Sequence, residues 1–315
     1  MRLTFWTSWS AHRDAGWCRR EVVRWRRGPE TEEQRVVELD AVPELDDPVL
    51  VAAFEGWNDA GEAATAVIEH LERAWQAVPL AHLDPEEYYD FQVNRPNVSV
   101  DESGVRRLDW PTTRVSVARP PDSGRDVVLI RGIEPNMRWR AFCAELLSVV
   151  AELGVERVLT LGALLADVPH TRPVPVTVST SDDESARSMG LEPSRYQGPT
   201  GIVGVLQDAA TKAGLTATTL WAAVPHYVAQ SPCPKATLVL LRRVEDLLGL
   251  PVPLGDLPDE ARAWQHGVEE LATEDPEIAE YVRRLEEARD TTELPEASGE
   301  HIAREFERYL RRRDE

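Results

Sequence analysis

Asp167, His170 and Arg172 fall within six residues, with Pro169 between them and Pro173 and Pro175 after them, directly behind an apolar run. A carboxylate or imidazole held on stiff proline backbone can act as a general acid or base, and a neighbouring guanidinium can bind an anion. A hydrogen-bonded subunit interface would use the same residue types. The preceding run, Val155 to Leu161, reads as a short strand after the helix-ending pair Leu153-Gly154. In open α/β sheets, ligands bind beyond the carboxyl ends of the strands, where this cluster would begin.

The same design recurs along the chain. Val49 to Phe54 has strand length and is followed by the turn-like Glu55-Gly-Trp-Asn-Asp59, where Asn58 or Asp59 can cap the next helix, contact a ligand, or do both. Arg131-Gly-Ile-Glu-Pro-Asn-Met-Arg-Trp139 offers Glu134 and Arg138, which could pair with each other or meet a substrate. Gly198-Pro-Thr-Gly-Ile-Val-Gly204 places Thr200 and Gly201 at a helix entrance suited to an anion or to close helix–sheet packing. His226 ends a further strand, as an edge residue or as a core or capping histidine. The sequence lacks a Gly-x-Ser-x-Gly elbow, a His-Glu-x-x-His pair, a Cys-x-x-Cys pair, a dinucleotide fingerprint and a phosphate loop. The common hydrolase and metalloprotease routes therefore lack support, and neither a cofactor nor a metal is expected.

The elements that must position these residues alternate in type. The pattern predicts a helix over 60–77, strands near 78–83, 114–118 and 126–131, and a polar hairpin or excursion over 96–112. An amphipathic helix over 136–153, a strand at 174–180, a helix over 202–213, a strand at 217–223 and a helix over 234–248 follow. This alternation argues for an α/β fold with a mainly parallel sheet and helices on both faces. Helices are predicted at 259–272, 276–289 and 300–313, where residues 259–315 hold eighteen acids against nine arginines. They read as a solvated acidic extension in which Trp264, Ile278, Tyr281, Leu285, Ile302, Phe306 and Leu310 pack a helical hairpin, or as a partner-binding appendage.

The 315 residues, 42% hydrophobic, can bury one large core or two modest ones. The expected division is an N-terminal extension (1–42), an α/β/α core domain (43–255) and an acidic helical C-terminal region (256–315). The first thirty residues hold Trp6, Trp9, Trp17 and Trp25 and seven arginines against three acids, without a signal-peptide core. They read as a poorly ordered or mis-assigned extension, with a basic aromatic partner-binding arm as the alternative. A net charge of −20 opposes nucleic-acid binding, and no apolar run approaches a membrane span. Cys18, Cys143 and Cys233 are widely spaced and leave one over after any disulfide, which fits reduced thiols in a cytoplasm. All but two of the 35 basic residues are arginine, a bias expected of a high-GC genome.

Six segments together resemble the actinobacterial branch of the proteasome assembly chaperone 2 family. They are Gly56-Trp-Asn-Asp-Ala-Gly61; Tyr89-Asp-Phe91 with Arg95-Pro96; Gly132-Ile-Glu-Pro135 with Arg138-Trp139; Gly162-Ala-Leu-Leu-Ala-Asp-Val-Pro-His-Thr-Arg172; Gly198-Pro-Thr-Gly-Ile-Val-Gly204; and Trp221-Ala-Ala-Val-Pro-His-Tyr227. Their order and spacing agree over about residues 46 to 250. The resemblance implies a three-layer, phosphorylase/hydrolase-like α/β/α fold and a homo-oligomer, a trimer being one expected size. It also implies proteasome-related proteins as partners, because eukaryotic relatives act in proteasome α-ring assembly. Some relatives dock through a terminal hydrophobic-Tyr-any tripeptide; this chain ends Arg313-Asp-Glu315, with Tyr309 further back and preceded by Arg308. Two functions are therefore carried forward: a noncatalytic, assembly-chaperone-like interaction module, and a small-ligand binder or enzyme using a polar crevice at the sheet's carboxyl edge.

Overall fold

Val49, Val51 and Ala53 face one side of their strand and Leu50, Ala52 and Phe54 the other, and all six are buried in two different apolar clusters. A strand apolar on both faces must lie inside a sheet covered by helices on both sides. The computed structural model has this arrangement; it describes residues 26–27, 37–38, 43–101, 104–121, 123–180, 183–188, 197–228 and 230–291. Most of the N-terminal extension and the helix expected at 300–313 lie outside the described residues.

In chain order, β1 (Arg26–Arg27) and β2 (Val37–Glu38) form a short antiparallel pair. The main body follows as β3 (Val49–Glu55), α1 (Ala63–Ala74), β4 (Val78–His82), β5 (Asn97–Val100), β6 (Arg106–Asp109), β7 (Arg114–Ala118), β8 (Val127–Ile133), α2 (Trp139–Glu152), β9 (Arg157–Ala166) and β10 (Val176–Thr180). It continues with α3 (Asp183–Ser188), α4 (Ile202–Lys212), β11 (Thr216–Pro225), α5 (Pro234–Leu248), α6 (Leu257–Glu274) and α7 (Pro276–Thr291). A seven-stranded sheet has the order β10-β11-β9-β3-β8-β7-β4. The four central strands are parallel, and antiparallel strands complete both edges. Residues from α1, α5 and the start of α6 cover one face, and residues from α2 and α4 the other. This is the expected three-layer α/β/α architecture, with C-terminal helices following it.

Among the boundaries that differ from the sequence reading, two have a clear local reason. β9 continues through Ala166 because every residue from Arg157 to Ala166 pairs with β11. Gly162 lies mid-strand beneath the Trp221 ring, where a Cβ would come within 2.6 Å of ring carbons. The helix expected from Asn136 begins at Trp139, because Arg138 has φ 58°, a left-handed conformation that an α-helix cannot contain. Chain order around β3 makes it a switch point: β8 lies on one side and β9 on the other, and α2 links those two strands across it. A ligand crevice in such a sheet opens beyond the carboxyl end of β3.

Candidate functional site

The loops that border the end of β3 are tied to one another. The loop after β3 continues to pair with β9: Asn58 O accepts from Ala163 N at 2.7 Å, and Asp59 bridges to Ala163. Glu134, just past β8, donates its own amide to Glu55 O at 2.9 Å. Its carboxylate Oε1 accepts from Asn58 Nδ2 at 2.7 Å and from Ile202 N at 2.8 Å. One carboxylate thus ties the β3 loop to the entrance of α4, where a negative group also complements the helix dipole. Asn58 is fully buried. Its Oδ1, without a hydrogen-bond partner, lies so close to the Gly201 backbone that a Cβ on Gly201 would come within 2.2 Å. Thr200 crowds the next turn in the same way, its Oγ1 standing 2.1 Å from where a Cβ on Gly204 would be.

Of the two roles the sequence offered for Asp59, capping accounts for its contacts. Its carboxylate accepts from Ala64 N at 2.6 Å, from Thr65 N at 3.3 Å and from the Thr65 hydroxyl. The approach to α1 is tight: Gly61 has φ +63°, and a Cβ there would come within 2.7 Å of Cys233 Cβ. Burial pushes the Asp59 carboxyl up to about 6, against the hydrogen bonds from Thr65 and Ala64 that lower it. The unfolded chain would release the same proton near 4. The stability linked to this proton is therefore complete below about pH 4 and is lost as pH rises through about 6. Asp59→Asn keeps an accepting oxygen and removes the titration, so the difference between wild-type and variant unfolding free energies should change across pH 4–7. A constant difference over that range would refute the assignment.

Arg138 stands apart from Glu134, so the pairing the sequence suggested between them does not form. Its guanidinium pairs with Glu87 instead and lies 6.0 Å from the Tyr88 ring centroid.

The cluster from Asp167 to Arg172 is joined by the end of β11 and by α7. Asp167 Oδ1 accepts from the Tyr281 hydroxyl at 2.7 Å, and His226 Nδ1 stands 3.0 Å from the same oxygen without the alignment of a hydrogen bond. The Tyr227 hydroxyl accepts from His170 N at 2.7 Å and lies 2.8 Å from His170 Nδ1. Edge-on ring contacts connect His226, Tyr227 and Tyr281 at 5.4–5.9 Å between centroids. Arg172 grips Asp290 through two hydrogen bonds, of 2.9 and 2.6 Å, and reaches Glu286 at 3.2 Å. Lys235, at the start of α5, donates to the carbonyl oxygens of His170 and Arg172 and fixes the loop from beneath. Burial, and then the Lys235 charge, lower the His170 pKa, while burial pushes the Tyr227 hydroxyl up to about 12. Both groups are therefore neutral at pH 7.

Most of the candidate residues thus lie at two places: Asn58, Asp59, Glu134, Thr200 and Gly201 about the switch point, and Asp167, His170, Arg172 and His226 near α7; Arg138 belongs to neither. Sequence reasoning missed Tyr227, Lys235, Glu286 and Asp290 as members of the second group. Lys235, one of only two lysines in the chain, was the available signal. Among the described residues, no three His, Cys, Asp or Glu side chains are placed to hold a metal ion, and no helix is long and apolar enough to cross a membrane.

Polar bonds anchor α7 to the loop, and Val282 is its one buried apolar residue among the large core side chains described. Arg172→Ala and Tyr281→Phe should each raise trypsin cleavage after Arg283 and Arg284 severalfold while leaving the thermal midpoint of the main body unchanged. Unchanged cleavage would show that α6, not the loop, holds the helix.

Fold and site together define a three-layer α/β/α protein whose switch-point loops are tied together through Asn58 and Glu134. Residues 53–272 match the PAC2 family, and the chain belongs to it. It is similar to a PAC2 family protein from Streptomyces avermitilis, with 63% identity and a TM-score of 0.71 over 75% of this chain and 100% of that one. It is also similar to a proteasome-assembly chaperone homologue from Mycobacterium tuberculosis, with 58% identity and a TM-score of 0.69 over 74% of this chain and 99% of that one. An archaeal proteasome activator from Pyrococcus furiosus shares the fold, with 16% identity and a TM-score of 0.60 over 73% of this chain and 96% of that one. No curated protein matches the chain.

Proposed function

We propose that this chain is a noncatalytic, assembly-chaperone-like interaction module that works as a homo-oligomer in the cytoplasm and engages proteasome subunits. One observation carries the reading: Glu134, Asp59 and Arg172 at the carboxyl edge of the sheet are committed to side-chain and backbone partners. Glu134 binds Asn58 and the α4 amide, Asp59 caps α1, and Arg172 is held by two carboxylates of α7. A general base or an anion-binding arginine would have to abandon these bonds to meet a substrate. The similarity to a mycobacterial proteasome-assembly chaperone homologue supports proteasome subunits as the partner class.

The test is native mass spectrometry of the full chain mixed with unassembled proteasome α subunits from the same organism. The expected result is a complex containing both chains that is lost when the α subunits are already in rings. Only the separate species, at micromolar concentrations of each, would overturn the reading.

A further inference from the structure

On the loop from Asp167 to Arg172, α7 sits as a carboxylate-bearing helix on a guanidinium. Glu286 and Asp290 stand four residues apart, on one face of the helix, and both meet Arg172; the Thr171 hydroxyl also donates to Glu286. A planar guanidinium with a hydroxyl beside it reads carboxylates by geometry as well as by charge. The loop does not depend on the helix for its shape. Lys235 holds the carbonyl oxygens of His170 and Arg172, Tyr227 holds the His170 amide, and Pro169, Pro173 and Pro175 stiffen the backbone.

Part of this surface is left unmet by α7. His170 is 2% exposed, and its Nε2 has no hydrogen-bond partner among the described residues. The Tyr227 hydroxyl accepts from the His170 amide, which leaves its own proton for Nδ1 at 2.8 Å; the neutral ring then carries its proton on Nε2. A buried N–H without an acceptor calls for one. The charges that act on this ring come from Lys235 on α5, Glu269 on α6 and Glu286 on α7. Guanidinium, hydroxyl and imidazole N–H all donate, so the group that fits them is one that only accepts, a carboxylate.

The helix can leave without unfolding. Asp275 is the single residue between α6 and α7, extended at φ −111° and ψ 109°, and Pro276 keeps the two helices from fusing. Asp275 Oδ1 accepts from Glu277 N at 2.9 Å, so α7 carries its own cap. Arg283 pairs within the helix, with Glu280 and Glu287. When α7 swings away it takes five acids and three arginines with it, which removes net negative charge from above the loop.

We propose that the loop Asp167–Arg172, with Lys235 beneath it, is a binding site for a helical segment of a partner chain that bears two carboxylates four residues apart, and that α7 is its built-in competitor. Exchange of one carboxylate for another keeps the bonds of Arg172 made, which a neutral substrate would not. The tethered helix competes at an effective concentration of about a millimolar, so only a partner that adds contacts of its own displaces it. The inference rests on the interaction module in the proposed function and names the chemistry of the segment it takes.

The probe is a labelled peptide with the sequence of residues 276–291, titrated by fluorescence anisotropy against the full-length protein. The wild type should bind it weakly, because its own helix holds the seat. Tyr281→Phe/Glu286→Gln/Asp290→Asn should release α7, raise trypsin cleavage after Arg283 and Arg284 severalfold and bind the peptide about tenfold tighter or more. Adding Arg172→Ala to that variant should undo the gain, and adding His170→Phe, which keeps a ring without Nε2–H, should undo part of it. A peptide with Gln and Asn in place of its two carboxylates at positions 286 and 290 should gain nothing. Thermal unfolding checks that each variant keeps the main-body transition, and Arg172→Gln replaces Arg172→Ala if the latter does not.

Equal affinity for the wild type and the released variant, an affinity indifferent to Arg172, or equal binding of the neutral peptide would each overturn the site. So would unchanged cleavage of the triple variant, since a helix that stays down without its carboxylates is no competitor for them. A proteasome-subunit complex that forms while the peptide fails to bind overturns this site and leaves the interaction module standing. Peptide binding without that complex overturns proteasome subunits as the partner and leaves the site.

Discussion

Gly201→Ala should lower the stability of this protein by about 3 kcal/mol or more, a fall of roughly 6–12 °C in thermal midpoint for a body of this size. The added methyl would come within 2.2 Å of Asn58 Oδ1 and 2.7 Å of its Nδ2, so one of the two must move. Asn58 has little room to retreat: it is fully buried, Glu134 holds its side-chain amide, and its carbonyl is bonded to Ala163 on β9. Gly201 in turn precedes α4, whose first amide is held by the same glutamate. Substitution therefore strains the β3 loop and the α4 entrance together. Chemical or thermal unfolding of the purified variant is the measurement, and a midpoint within about 2 °C of wild type would show that the approach can relax.

Glu134→Ala is the second large effect, with an expected cost of about 2–4 kcal/mol. It removes the acceptor for two donors, one of them the amide of the fully buried Asn58, and an unmade buried hydrogen bond costs more than a made one contributes. Glu134→Gln retains an accepting oxygen and should lose less than half as much. The two sites share a partner, so their effects should not add. With Glu134 gone, Asn58 is free to swing from the new methyl at position 201, and the double variant should be less destabilised than the sum by about 1 kcal/mol or more. Simple additivity in a double-mutant cycle would show that Asn58 does not link them. Neither variant tests catalysis, which separates their readout from the interaction assay above.

The sequence revealed most of the fold because the fold is written in local patterns. The all-apolar run from Val49 to Phe54 forecast a strand, and the alternation of strand and helix forecast a mainly parallel sheet with helices on both faces. Of the hairpin or excursion expected over 96–112, the hairpin is present as β5–β6, and the helix over 234–248 matches α5 at both ends. The site was legible only in part. That Asp59 would cap α1 could be read locally, because its partners lie within six residues. That Glu134 would bond to Asn58 rather than to nearby Arg138 could not be: those partners are 76 residues apart, and they meet because β3 and β8 lie side by side. Tyr281 was expected to pack a helical hairpin, yet its hydroxyl reaches Asp167, 114 residues away. Such pairings belong to the tertiary arrangement and leave no periodic trace in the chain.

The Asn58–Glu134 linkage also has a kinetic meaning. Loops at the carboxyl edge of a sheet ordinarily fluctuate independently, and ligand sites use that freedom. Here the amides of Ala163, Glu134 and Ile202 sit on three different segments, yet each is bonded to the β3 loop or to the carboxylate that anchors it. Their protons should exchange with solvent at one common rate, as a single opening event, and Glu134→Ala should split that rate into separate, faster ones. A rim that opens only as a whole is one rigid surface instead of a set of adaptable fingers.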